Sequence, residues 1–266
     1  MDLQLGNKRA VITGGSRGIG LAVARVLAAE GVAVALVGRD RVAAEAAAAE
    51  IAEHYGVTAI GAAGDTGEDE SVRAMAQDVI DRLGPPDIVV NCAAEPAGQK
   101  APPRAAEVTG AHLHRHMNVK VMGYLRVAQA FMPHMVDQGW GRIISISGMG
   151  ARRPGDMVGG IRNIGVVAMS KNLAEDLAGT GVTTVVVHPG MTRTEKVDGM
   201  IADRARREGR DEAELWAQLG SRTLNGAIPT AEDIANLVAF LASPLSVAIN
   251  GDVIAAAGGS RGVIEY

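Results

Sequence analysis

Short runs of aliphatic and β-branched residues alternate along the chain with longer stretches rich in Ala, Leu and Glu. The apolar runs at 9–13, 32–37, 57–63, 87–91, 142–147, 182–187 and 253–256 read as strands. The stretches at 18–30, 40–54, 71–83, about 119–137 and about 160–178 carry helical spacing and read as helices. The strands are continuously apolar rather than alternating, so both of their faces are covered. Strands separated by helices pair in parallel through right-handed crossovers. The expected fold is therefore α/β, a doubly wound parallel sheet of about seven strands with helices on both faces. No internal repeat or long linker divides the sequence, and residues 1–266 read as a single domain.

One stretch breaks the alternation. Residues from about 191 to 226 are polar, rich in Arg and Glu over 202–214, and then punctuated by Gly. This insertion follows the carboxyl end of a strand, where open α/β sheets bind ligands, and it reads as a lid over a cleft. A net charge of −4 and a pI near 5.9 argue against nucleic acid or an anionic membrane as partner. The single cysteine, Cys92, excludes an internal disulfide and a cysteine-based metal cage and suits a reducing cytoplasm. No basic start followed by an apolar run marks a signal peptide, and no apolar stretch reaches the length of a membrane span. A cytoplasmic location and a small-molecule ligand are expected.

The candidate chemistry begins at the first strand, which runs into Thr13-Gly14-Gly15-Ser16-Arg17-Gly18-Ile19-Gly20 and then a helix. Gly14 permits a tight turn, Gly18 lets backbone approach a phosphate, and Gly20 lets the helix pack close. The helix N-terminus offers N–H groups and partial positive charge to a pyrophosphate. A glycine cluster placed between a buried strand and a helix is the signature of a Rossmann-type dinucleotide site.

The sequence resembles the short-chain dehydrogenase/reductase family in its classical form, over roughly residues 5–259. Residues 13–20 match that family's TGxxxGxG turn. Asp65, followed by Thr66, matches the acid that bonds the adenine. Asn91-Cys92-Ala93-Ala94 resembles the NNAG segment, with Cys and Ala in place of Asn and Gly. Asn118 falls where the family keeps a helix-kinking asparagine, and Pro189-Gly190 with Thr194 resembles the turn that holds the nicotinamide carboxamide. The resemblance implies Gly14, Ser16, Arg17, Gly18, Ile19, Gly20, Asp65, Thr66, Asn91, Ala93, Pro189, Gly190 and Thr194 as cofactor contacts. It also implies a homo-oligomer, dimer or tetramer, through the helices near 119–137 and 160–178.

The end of the second strand selects the dinucleotide. A carboxylate at its tip would bind a ribose 2′-hydroxyl and repel a 2′-phosphate. Here the strand ends Val37-Gly38-Arg39, and Arg17 supplies a second guanidinium in the glycine turn. Two guanidinium groups make charge-assisted bonds to a phosphate, which favours NADP(H) over NAD(H). Asp40, directly after Arg39, pulls the other way.

The family's proton donor is a Tyr with a Lys four residues later, assisted by a Ser. The tyrosines here are Tyr55, Tyr124 and Tyr266, and none is followed by Lys at that spacing. Aligning residues 141–148 with the family's corresponding strand places Gly148 at the serine. Counting back from His188-Pro189-Gly190 places Gly159 at the tyrosine and Asn163 at the lysine. Ser170-Lys171 mimics the family's Ser-Lys pair but lies too near Pro189. Asn118 and Ser147 remain as candidate catalytic residues. Arg152, Arg153 and Arg162 are candidates to orient an anionic substrate, and His188 reads as packing. His112, His114 and His116 read as a helix edge rather than a metal site. Tyr266 could reach a partner's cleft in an oligomer. Two functions fit: an NADP(H)-dependent oxidoreductase with non-standard catalysis, or a catalytically inactive dinucleotide-binding sensor or partner subunit. A redox-neutral lyase or isomerase is the third.

Overall fold

The apolar runs do form one sheet. In a computed structural model that describes residues 1–95, 101–259 and 261, the strands are β1 (Arg9–Thr13), β2 (Ala33–Gly38), β3 (Ala59–Ala63), β4 (Ile88–Asn91), β5 (Gly141–Ile146), β6 (Val182–Pro189) and β7 (Asp252–Ala256). Tyr266 lies outside the described residues. All pairings are parallel, in the order β3-β2-β1-β4-β5-β6-β7. Successive side chains leave opposite faces of a strand, so each strand feeds two cores. Ala10 and Ile12 of β1 pack with Val34, Leu36, Ile88 and Val90 on one face, beneath α1 (Gly18–Ala29), α2 (Arg41–Tyr55) and α9 (Ala231–Ala242). Val11 packs with Ala35, Val37, Val89 and Ile143 on the other, beneath α3 (Asp69–Leu83) and α5 (Gly123–Asp137). The long α6 (Met157–Asp176) lies against β6 and adds Leu173 to this second core.

The strand order reverses between β1 and β4, and that is where a crevice opens at the carboxyl ends of an open α/β sheet. Thr13 closes β1 there, in register with Val37 on one side and Asn91 on the other. Its Oγ1 accepts the N–H groups of Cys92 and Ala93 at 3.2 Å, tying the two strand ends together.

Three regions differ from the sequence expectation. The helix expected from about 119 is preceded by α4 (Gly110–His116) and by six residues of π-helix, Met117–Met122. The stretch at 191–226 contains two helices, α7 (Glu195–Glu208) and α8 (Glu212–Gly220), which share a small core of Ile201, Ala205, Leu215 and Leu219. Helix α9 falls in a segment for which the apolar pattern predicts neither strand nor helix. Among the described residues no helix is long and apolar enough to cross a membrane.

Candidate functional site

The glycine turn is built as its sequence requires. Gly14 sits at φ +68°, in the left-handed region that glycine tolerates. A Cβ on Gly20 would lie 2.3 Å from the Gly14 carbonyl oxygen, so α1 meets the turn only because residue 20 has no side chain. Arg17 precedes α1 in extended conformation and offers no side-chain cap, which leaves the first N–H groups of α1 for a ligand. The Gly18 N–H already grips an anion, donating 2.8 Å to the Glu195 carboxylate at the start of α7. This carboxylate occupies one of the N–H groups that a helix N-terminus offers to an anion.

The remaining expected cofactor contacts surround this turn. Ser16 lies beside Gly38, whose Cβ position is 3.5 Å from Ser16 Oγ. Arg17 and Arg39 are exposed, at the glycine turn and just past β2. Asp40 does not point at a ribose here: its carboxylate caps α2 by accepting the Ala43 N–H. Asp65 Oδ1 accepts the Gly67 N–H at 2.9 Å, and Thr66 donates to Val119 O. Asn91 is buried at the end of β4, its Oδ1 without a hydrogen-bond partner among the described residues. Pro189 ends β6, Gly190 packs against Ala257 so closely that a Cβ would lie 2.9 Å from that side chain, and Thr194 caps α7.

The two candidate catalytic residues are not brought together. Asn118 donates its amide to Gly67 O at 2.9 Å. Ser147 follows β5 and is buried, its hydroxyl donating to the backbone oxygen of Asn163 at 3.1 Å. What the structure does bring together is the trio Gly148, Gly159 and Asn163 that the alignment pairs with the family's Ser, Tyr and Lys. Gly148 donates its N–H to His188 Nδ1 at 3.2 Å, so His188 holds the end of β5. Gly159 lies in the first turn of α6, where its N–H is capped by Asp156. Asn163 sits one turn further along and reaches back to Gly148 O at 3.4 Å. The downstream mimic lies elsewhere: Ser170 bonds Thr184, and Lys171 pairs with Glu175 on the surface.

Sequence reasoning missed one residue of this cluster. Lys120, inside the π-helical segment, is only 4% exposed. It donates to Ser147 O at 2.9 Å and to Asn163 Oδ1 at 3.0 Å. Burial lowers its pKa to about 7, and the nearby Arg162 guanidinium adds to the effect. Nothing in the apolar pattern marks it, because a lysine between valines on a helix ordinarily reaches solvent; only the π turn directs it inward. Arg162 is buried as well. It meets His116 Nδ1 at 2.6 Å and Glu95 O at 3.4 Å, while its Nε lacks a partner among the described residues. Burial first, and Arg162 second, hold the His116 imidazole below its ordinary pKa.

Beside this cluster is a cavity of about 660 Å³. Arg104, Arg152, Arg153 and Asp156 line it together with apolar Met157, Ile161 and Ile164 of α6. It combines cations with apolar wall, as a pocket for a small polar or anionic molecule does.

Known proteins resemble this chain in sequence and in fold. A family model described as enoyl-(acyl carrier protein) reductase matches residues 14–261. An uncharacterised oxidoreductase of Bacillus subtilis, YvrD, is 32% identical over 97% of this chain and 98% of its own length. The 3-oxoacyl-(acyl-carrier-protein) reductase FabG of Aquifex aeolicus is 29% identical over 97% of this chain and 99% of its own. The crystal structure of L-sorbose reductase from Gluconobacter frateurii, complexed with NADPH and L-sorbose, superposes with a TM-score of 0.91 at 26% identity, covering 99% of this chain and 100% of that one.

Proposed function

Because the chain belongs to the short-chain dehydrogenase/reductase family, we propose that it is an oxidoreductase that binds NADP(H) in preference to NAD(H) and acts on a small molecule without the family's usual Ser, Tyr and Lys. The observation that carries the reading is the Gly18 N–H holding a carboxylate at the N-terminus of α1. Gly14, Ser16, Gly18, Ile19 and Gly20 would cradle the pyrophosphate, Asp65 and Thr66 the adenine side, and Asn91, Ala93, Pro189, Gly190 and Thr194 the nicotinamide side. Arg17 and Arg39 would take a 2′-phosphate. The Asp40 carboxylate accepts the Ala43 N–H as the cap of α2, and its charge next to Arg39 pulls against a 2′-phosphate. When bound, the nicotinamide supplies or accepts hydride.

This chain's own residues do the rest. Arg152, Arg153 and Arg104 would orient a substrate, including an anionic one, in the cavity beside α6. Ser147 or a water would have to serve as the proton source at a carbon–carbon double bond, whereas an iminium would take hydride without one. The 191–226 insertion, with α7 and α8, would act as the lid. Exposed Ile161 and Ile164 on α6 support assembly into a homo-oligomer, and the single cysteine and acidic balance support a cytoplasmic location.

A second reading is favoured by one observation. Tyr124 is fully buried, with its hydroxyl donating to Ile146 O, so it cannot act on a ligand. With no Tyr followed four residues later by Lys in the sequence, a non-redox dinucleotide sensor or partner subunit fits the same inventory. A thermal shift with NADPH larger than with NADH tests the cofactor, and NADPH consumption across carbonyl and enone substrates tests the enzyme. Binding without any turnover would favour the sensor.

A further inference from the structure

The cluster at the start of α6 contains an unused donor. Gly148 and Gly150 are both half-exposed, and Asn163 lies buried beneath them. A Cβ on Gly148 would sit 3.1 Å from Asn163 Nδ2, and a Cβ on Gly150 would sit 3.2 Å from the same atom. Any side chain at either position would cover the amide. The two glycines therefore open a notch whose floor is the Asn163 Nδ2 group.

The orientation of that amide is set from below. Protonated Lys120 Nζ has only protons to give, and it donates to the Asn163 oxygen at 3.0 Å, which turns the NH₂ towards the notch. Nδ2 carries two protons, and only one is directed at Gly148 O, at a long 3.4 Å. Among the described residues no acceptor meets the other, which is open to a ligand oxygen. We propose that Asn163 is an oxygen-holding residue of the cleft, donating Nδ2–H to a substrate carbonyl or alkoxide, and that Lys120 is the positioning residue that aims it. This rests on the oxidoreductase reading for the identity of the oxygen, and not for the geometry of the amide.

Lys120 also makes the donor sensitive to pH. When protonated, it withdraws electron density from the Asn163 oxygen and strengthens the Nδ2–H donor; when neutral, it only holds the orientation. Its charged and titratable surroundings are Arg162 from α6, Cys92 at the end of β4 and Tyr124 from the following helix, with His116, Glu95 and Asp156 around Arg162. His188 reaches the notch from β6 through the Gly148 N–H. Cys92 and Tyr124 are held protonated by desolvation, so neither neutralises the amine.

The test uses the full chain, labelled with ¹⁵N. Asn163 side-chain signals are assigned by their loss in Asn163→Leu and followed from pH 5.5 to 9.5 in wild type, Lys120→Met and Lys120→Arg. The expected result is a neutral-range midpoint in wild type, absent in Lys120→Met and absent within this window in Lys120→Arg, which stays charged. Invariant signals, or the same midpoint in Lys120→Met, overturn the positioning role whatever the turnover experiments give. Cyclohexanone, as a bare ketone probe with NADP⁺ present, should then shift the Asn163 signals in wild type. Gly150→Ala should weaken that response at least tenfold while leaving the NADPH thermal shift unchanged. A ketone response that is missing, or equal in Gly150→Ala, overturns the oxygen-holding role. Loss of the NADPH thermal shift in wild type would instead remove the cofactor reading and leave the Lys120–Asn163 coupling standing or falling on its pH midpoint.

Discussion

Lys120 shows how one side chain can tie stability to pH. Its pKa is lowered to about 7 in the fold, chiefly by burial, against about 10.4 in an unfolded chain. Between those values the unfolded state binds the extra proton, so the contribution of this residue to stability rises with pH over that window. Below about pH 7 the full cost of burying the charge is present, and above about pH 10.4 it is gone. The difference in unfolding free energy between wild type and Lys120→Met should move towards wild type by about 1.4 kcal/mol per pH unit across the window. Urea unfolding at intervals from pH 6 to 9.5 measures this, and a pH-independent difference would mean that the amine titrates normally in the fold. Gly20 is the opposite kind of residue, defined by what it lacks. Gly20→Ala forces a Cβ to within 2.3 Å of the Gly14 oxygen, and we expect a loss of roughly 1–3 kcal/mol together with loss of dinucleotide binding. Thermal unfolding and NADPH titration of the variant check both.

At the scale of elements, the strands were readable because each is a continuous apolar run, and all seven lie within two residues of their sequence positions at both ends. The glycine turn was readable because backbone geometry demands glycine at Gly14 and Gly20. Helix α7 was not, because its polar face dominates and it buries only Ile201 and Ala205. Helix α9 did carry a signal: Thr230 and Asp233 form a capping box ahead of Ile234, Val238 and Leu241. The helix-kinking Asn118 marks the place of the π-helical segment, but nothing in the sequence signals that Lys120 within it turns inward. Within the site, the cofactor half was legible from motif spacing, whereas the Lys120–Asn163 contact joins residues 43 positions apart and depends on packing alone.

The start of α7 bears on cofactor binding through Glu195, whose carboxylate occupies the Gly18 N–H. A pyrophosphate must displace it, so Glu195→Gln should tighten NADPH binding by about three- to tenfold. Titration of NADPH by protein fluorescence reads this directly, and weaker binding in the variant would show that Glu195 assists rather than competes.

For the whole molecule, the sheet order places every expected cofactor contact at the carboxyl ends of the strands, around the switch between β1 and β4. Selectivity at that edge is a matter of charge. Replacing Arg17 and Arg39 together by Ala should lower the NADPH-to-NADH affinity ratio at least tenfold, leaving NADH binding nearly unchanged. Parallel titrations with the two nucleotides would reveal it, and an unchanged ratio would place the 2′-phosphate elsewhere. The central claim is that a dinucleotide seat persists beside a cleft from which the tyrosine–lysine proton donor is missing. A crystal structure of the NADPH complex tests it most directly. The account predicts pyrophosphate on the Gly18 N–H with Glu195 withdrawn, the 2′-phosphate between Arg17 and Arg39, and no tyrosine hydroxyl within hydrogen-bond reach of a substrate oxygen at the nicotinamide. A tyrosine poised at that ring, from this chain or a partner copy, or a pyrophosphate seated away from the glycine turn, would contradict it.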